Sequence, residues 1–195
     1  MPNAPVEIPA LPVVVPLAVL IFAALLWRLR RRGAVNIARA VVVGILCVYG
    51  AGVIGNTLLP IFIGAASSGL PWWSSINLRL LENTDAADML QNIAVFAPLG
   101  ILLPLATRIR SLGGVVLAGF LISLAMELLQ FVNAVAANGG HIADVNDLLA
   151  NTVGAPLGFG LYRAALLLPA ARRWAHAATW PTAAPRTDHE TVSPR

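Results

Sequence analysis

The sequence predicts an all-α protein, a multi-pass transmembrane helical bundle of about five spans, with the N-terminus outside and the C-terminus inside. Three observations predict it. The chain is 58% hydrophobic and only 11% charged, whereas soluble domains carry about 25% charged residues. Its apolar residues gather into five runs of roughly membrane-spanning length. Its basic residues, all arginine and none lysine, stand almost entirely on alternate connections between those runs.

Segment one runs from about Ile8 to Trp27, with Pro9, Pro12 and Pro16 in its first half. Regular helix is expected to start near Pro16 or to kink there, because proline removes an N–H and crowds the preceding turn. The charges RLRRR follow at once. A secretory signal would carry its charges before the apolar run and end in a small-residue cleavage site, so this segment reads as a retained span. Segment two runs from about Val35 to Leu59. Arg39, near its basic end, can snorkel to the interface, and Asn56 lies near the other end, which Pro60 closes.

Residues 61–88 form the longest connection. They carry Trp72 and Trp73, suited to a membrane–water interface, and the acids Glu82, Asp85 and Asp88. Segment three runs from about Met89 to Ala106, interrupted by Pro98 and Pro104. Segment four runs from about Leu112 to Ala136 and holds Ser123, Glu127, Gln130 and Asn133. The turn AANGGHIA at 136–143 suits a tight return. Segment five runs from about Asp147 to Leu168. The tail from Pro169 looks disordered or interfacial by composition. The organisation is thus residues 1–34 as an N-terminal span with a basic loop, 35–168 as the main transmembrane domain, and 169–195 as a cytoplasmic tail.

The orientation follows from the arginines. If the RLRRR loop is cytoplasmic, Arg108, Arg110, Arg163, Arg172 and Arg173 are too. The outside connections then hold only Arg79, against Glu82, Asp85, Asp88, Asp144 and Asp147. The net charge of +4 therefore marks a membrane orientation and excludes nucleic acid as an expected partner, since no polar face gathers the arginines. The single cysteine, Cys47, lies in an apolar run and has no intrachain partner.

Polar residues recur every three or four positions in segments four and five. Ser123, Glu127 and Gln130 form one set; Asp144, Asp147, Asn151, Gly154 and Gly158 form the other. On helices each set lies along one face. With Asn92 and His141 they converge on the outer half of the bundle. Glu127 carries the most weight, because a carboxylate amid apolar residues is costly in lipid and belongs against protein or water. Other readings stand beside this one. Asp144 and Asp147 suit the N-cap of segment five. Gln130 and Asn151 suit hydrogen bonds between helices, and Gly154 and Gly158 close helix packing. Ser123 suits a bond to its own helix backbone, and His141 a solvated turn. The acids are hard oxygen ligands, but no HExxH, CxxC, Walker or GxSxG motif occurs. No metal or other cofactor is expected.

These residues carry a resemblance. NIAVFAPLGILLP, with Asn92, Phe96, Pro98, Gly100 and Pro104, resembles the first block of the VanZ-like family of small integral membrane proteins. SLAMELLQ, with Ser123, Glu127 and Gln130, resembles its second. GHIADVNDLLANTVGAPLG resembles its third, D-x-x-D-x-x-x-N-x-x-G-x-x-x-G, with His141 where the family has arginine. The match covers about residues 50–162. The resemblance implies a bacterial plasma-membrane location, a cell-envelope association and a link to low-level resistance to the glycopeptide teicoplanin.

The resulting expectation is a membrane protein that binds a lipid-linked envelope precursor or a lipoglycopeptide. The site is an outer-leaflet pocket formed by Asn92, Glu127, Gln130, His141, Asp144, Asp147 and Asn151. The alternative is an intramembrane enzyme on a lipid-linked envelope substrate, with Glu127 or Asp147 as general base or metal ligand. A transporter ranks lower, because no inverted repeat is visible. Membrane lipids are expected partners, and a homo-oligomer is compatible with the pattern.

Overall fold

The computed structural model describes residues 6–63, 69, 71–82, 85–137 and 142–180. Six helices carry the chain: α1 (Ala10–Arg31), α2 (Ile37–Leu58), α3 (Ala86–Ala106), α4 (Leu112–Ala137), α5 (Val145–Ala165) and α6 (Pro169–Ala178). The first four are long and apolar enough to cross a membrane; α5 and α6, bent by 117° at their junction, make a fifth span if taken together. The outer faces of α1, α2 and α4 leave large apolar side chains exposed, among them Leu20, Val48 and Leu121. In a bilayer those faces meet acyl chains.

The prolines interrupt less than expected. The first helix starts at Ala10 and runs through Pro16 to Arg31. Pro12 falls in its first turn, where a missing N–H costs nothing. Pro98 and Pro104 likewise lie inside a continuous α3, and Pro156 inside α5. Packed membrane helices tolerate such losses, since neighbours and local adjustment satisfy the freed carbonyls.

The helices α3 and α5 form the closest pair, and glycine permits it. A Cβ placed on Gly158 would overlap the Ala97 carbonyl, and one on Gly100 would overlap the Ala155 carbonyl. Gly154 faces the Ile93 carbonyl and lies under Phe96, which is fully buried. The two helices run parallel and nearly in register, and their sequences repeat. Asp85, Asp88, Leu90 and Asn92 in the first match Asp144, Asp147, Leu149 and Asn151 in the second. One residue fewer then precedes the second of the two Ala-Pro-Leu-Gly runs, 97–100 and 155–158. Both repeats begin alike, with Asp85 accepting from the Ala87 N–H and Asp144 from the Asn146 N–H. The Gly100–Ala155 and Gly158–Ala97 contacts are therefore reciprocal, as across a two-fold axis between parallel helices.

Two short strand pairs close one end. Val6–Ile8 (β1) pairs antiparallel with Ile61–Ile63 (β2), and Ile76–Asn77 (β3) pairs parallel with Ala143–Asp144 (β4). A 3-10 turn, Trp72–Ser75, precedes β3 and sets Trp72 edge-on to Trp73 and to Phe131. This end holds Glu7, Glu82, Asp85, Asp88, Asp144 and Asp147, whereas Arg28, Arg30, Arg31, Arg39, Arg108, Arg110 and Arg163 sit at the other. There the first part of the tail is helical, against the disordered one of the two expected alternatives, disordered or interfacial. Residues 169–178 form α6, whose Ala175 and Ala178 are buried against α2 and α3. The backbone N–H of Trp180, just beyond, donates to the Leu105 carbonyl at 3.1 Å. Two alanines small enough to pack between helices give the segment an anchor that composition hides. Residues 181–195 lie outside the described part.

The glycine contact makes a paired prediction. Gly158→Ala should destabilise the fold by about 1–3 kcal/mol through overpacking. Gly160→Ala, one helical step away with nothing within 4 Å of its added Cβ, should be neutral or stabilise by up to about 1 kcal/mol through helix propensity. Thermal unfolding of the two purified variants in one detergent checks both.

Candidate functional site

The alternating helices bring the end of α2, the start of α3, the end of α4 and the start of α5 together. Between them lies a cavity of about 440 Å³. Helix α2 contributes Tyr49, Asn56 and Thr57; α3 contributes Gln91 and Asn92; α4 contributes Glu127 and Gln130; α5 contributes Asp147 and Asn151. Apolar walls come from Val53, Val95, Pro98 and Met126. Among the described residues the carboxylic acids lining it are Glu127 and Asp147, and no cationic side chain does so.

Each polar group is held or left open in a particular way. Glu127 is 7% exposed, and its Oε2 accepts the Asp144 backbone N–H at 2.8 Å. That N–H belongs to the residue that caps α5, so the bond ties the middle of α4 to the mouth of α5. Asp147 Oδ1 accepts from Asn92 Nδ2 at 2.6 Å. Asn92 and Asn151 occupy equivalent places in the α3–α5 repeat, as do Asp147 and Asp88. The reciprocal bond from Asn151 to Asp88 is not made, and Asp88 is exposed. Asn151 is 3% exposed, and its Oδ1 has no partner among the described residues; the same holds for Gln130 Oε1. An enclosed amide oxygen without a donor costs about 1–3 kcal/mol. Both oxygens are shut off from the accessible space of the cavity, which presents the Glu127 and Asp147 carboxyls together with the hydroxyls of Tyr49 and Thr57 and the amides of Asn56 and Gln91.

Behind the cavity lies a rigid polar plate. Asn146 is 1% exposed. Its Oδ1 accepts the Leu81 N–H at 2.7 Å, while its Nδ2 donates to the Arg79 carbonyl at 3.0 Å and to Asp144 Oδ1 at 2.9 Å. Asp144 Oδ2 accepts from Asn77 Nδ2 at 2.9 Å. Leu81 is held at φ 57°, the left-handed region that a leucine rarely occupies. The long connection is thereby pinned over the mouth of α5.

Of the seven residues singled out from the sequence, Asn92, Glu127, Gln130, Asp147 and Asn151 line the cavity. Asp144 does not; it is the N-cap of α5 and works from behind, through its own N–H and carboxylate. Asp147, the other cap candidate, stands one turn further in and faces the cavity. His141 lies outside the described residues. Ser123 also departs from expectation. It is fully buried away from the cavity, and its Oγ finds no partner among the described residues, not even its own helix backbone. Sequence reasoning missed Tyr49, Thr57 and Gln91 in the lining and Asn146 in the plate. Asn146 had a signal, since it matches Ala87 in the α3–α5 repeat and replaces a methyl with an amide. Among the described residues no group of three or more His, Cys, Asp or Glu side chains is placed to hold a metal ion.

Residues 46–168 match the VanZ/LLP1 family model. The chain belongs to the VanZ/LLP1 family. A curated relative, Protein VanZ of Enterococcus faecium, is 33% identical over 91 residues, which are 45% of this chain and 52% of that protein. The chain thus spans about half the length of that VanZ relative. No solved structure matches. The VanZ-matching region contains every residue that lines the cavity, from Tyr49 to Asn151, and omits α1 and α6.

The plate makes its own prediction. Asn146→Ala removes the bonds to the Leu81 N–H and the Arg79 carbonyl, at about 0.5–1.5 kcal/mol for each part-buried bond lost. It should release residues 77–82 to limited proteolysis while leaving the α3–α5 packing intact. Peptide mapping of the first cleavage site, beside a helical circular-dichroism signal, checks this.

Proposed function

We infer that this VanZ-like membrane protein binds the polar head of a cell-envelope amphiphile, a lipid-linked envelope precursor or a lipoglycopeptide, and so contributes to glycopeptide resistance of the teicoplanin type. The observation that carries this reading is the cavity itself. It gathers two carboxyls, several amides and two hydroxyls at the ends of four membrane helices.

The lining selects among ligand groups. Acceptors without a cation suit a ligand that presents N–H, O–H or ammonium groups, such as sugar hydroxyls, peptide amides or an amino group. A bare pyrophosphate finds no counter-charge among the described residues of the lining. Of a lipid-linked precursor, the saccharide and peptide portion is therefore the part received. Of a lipoglycopeptide, the amine and sugar hydroxyls are. The arginine asymmetry supports an orientation with the cavity outside, at the leaflet where such ligands are found.

A second reading draws on the pair of carboxyls. Glu127 and Asp147 line one cavity, and two neighbouring acids can divide the roles of general base and orienting group. Turnover of a polyprenyl-linked substrate by purified protein would favour it over binding alone.

Glu127→Gln and Glu127→Ala, expressed at matched levels in a glycopeptide-susceptible host, should each return teicoplanin susceptibility to that of the empty host. Susceptibility unchanged from the unsubstituted protein in both would remove Glu127 from any binding role.

A further inference from the structure

A second site lies at the opposite, basic end, built from the part of the chain that the cavity does not use. Arg39 of α2, Arg110 of the α3–α4 connection, and His176 and Trp180 of and beyond α6 surround a pocket of about 340 Å³. It is assembled deliberately. The Asn36 side chain donates to the Ala177 carbonyl at 3.0 Å, and Arg39 Nε donates to the Thr179 carbonyl at 3.0 Å. Arg39 also donates from Nη1 to the Ala34 carbonyl at 2.6 Å. These bonds hold the end of α6 against the start of α2.

No acid among the described residues answers the bases. Among the described residues the one ion pair is Arg79–Glu82, at the other end of the molecule. The Trp180 ring closes one wall of the pocket and packs against the cluster of Leu29, Ala34, Val43 and Cys47. The pocket thus has the character of the cavity inverted, with donors and positive charge and no acceptor side chain of opposite sign. Beside it runs an apolar groove of about 490 Å³, and the two share Tyr162, Leu166 and Ala175 as a common wall. Leu105, Leu161 and Trp174 line the groove.

We propose that the basic pocket and its adjoining groove together hold one anionic phospholipid, the phosphate among Arg39, Arg110 and His176, and an acyl chain along the groove. Charge complementarity selects the head group, because the phosphate supplies the counter-charge and the acceptor that the pocket lacks. The shared wall selects a lipid over a soluble anion, because a free phosphate would leave the groove unfilled. A seated lipid would also clamp α6 to the bundle.

Native mass spectrometry of the full chain, with phosphatidylglycerol or phosphatidylcholine of identical acyl chains titrated in, tests this. Phosphatidylglycerol should bind more tightly by at least about fivefold, the scale of one basic side chain against an anionic lipid. Arg110→Glu, a residue that makes no side-chain hydrogen bond in the structure, should erase that preference. Should that variant fail to show a normal unfolding transition, His176→Glu carries the same expectation. Ala165→Trp, filling the groove with the charges intact, should weaken phosphatidylglycerol binding. A large excess of inorganic phosphate should not displace the lipid. Equal binding of the two lipids, a preference that survives Arg110→Glu and His176→Glu, undiminished binding by Ala165→Trp, or displacement by phosphate would each overturn the proposal.

Discussion

The backbone-to-backbone approach of α3 and α5 is the constraint on which the rest of the molecule rests. Lipid tails are as apolar as leucine, so helices in a bilayer gain little from hiding apolar area against one another and gain most from close van der Waals contact. Gly100, Gly154 and Gly158 provide that contact by removing the side chains that would hold the helices apart. Because the two helices are parallel, their N-termini arrive at the same level. That places Asn92 beside Asp147 and brings Asn151 to the same cavity. A wider spacing would dissolve the shared lining.

The repeat between α3 and α5 makes one bond across the cavity and leaves its counterpart unmade. Two helices with equivalent Asp and Asn positions and reciprocal glycine contacts would, if fully symmetric, make two Asn–Asp bonds. One is made, between Asn92 and Asp147. The other is absent, and Asn151 keeps an enclosed oxygen without a donor. The helix α4 has no counterpart in the repeat. It brings Glu127 to the α5 side, where the Asp144 N–H receives it. The plate of Asn146, Asn77 and Asp144 then holds that arrangement from behind, so that the carboxyl of Glu127 is positioned by backbone and not by a mobile side chain.

The two ends of the bundle are electrostatic opposites. Acids and amides line one cavity, and bases line the other pocket. Along α2 the ten residues from Arg39 of the pocket to Tyr49 of the cavity separate them by about 15 Å. Such a separation keeps opposite charges from neutralising one another, so each end retains an unmet demand, for donors at one and for an anion at the other.

Much of this could be read along the chain. Five apolar segments, the placement of the arginines and the cost of a carboxylate within an apolar run are one-dimensional properties, set by residue type and by the thickness of a bilayer. They sufficed for a helical membrane protein and for the convergence of Asn92, Glu127, Gln130, Asp147 and Asn151. Three-letter patterns could not say that Asp144 caps while Asp147 faces inward, since both stand within the first turn of α5 and only the packing of α3 distinguishes them. Nor could they show where residues 169–178 dock, because the stripe of Ala171, Trp174, Ala175 and Ala178 marks an apolar face without saying which helices it meets. Which amide oxygens stay unpaired was decided by tertiary structure alone. A hydrogen bond is gained or lost over a few tenths of an ångström, and that distance is set by how deeply glycine lets one helix settle into another.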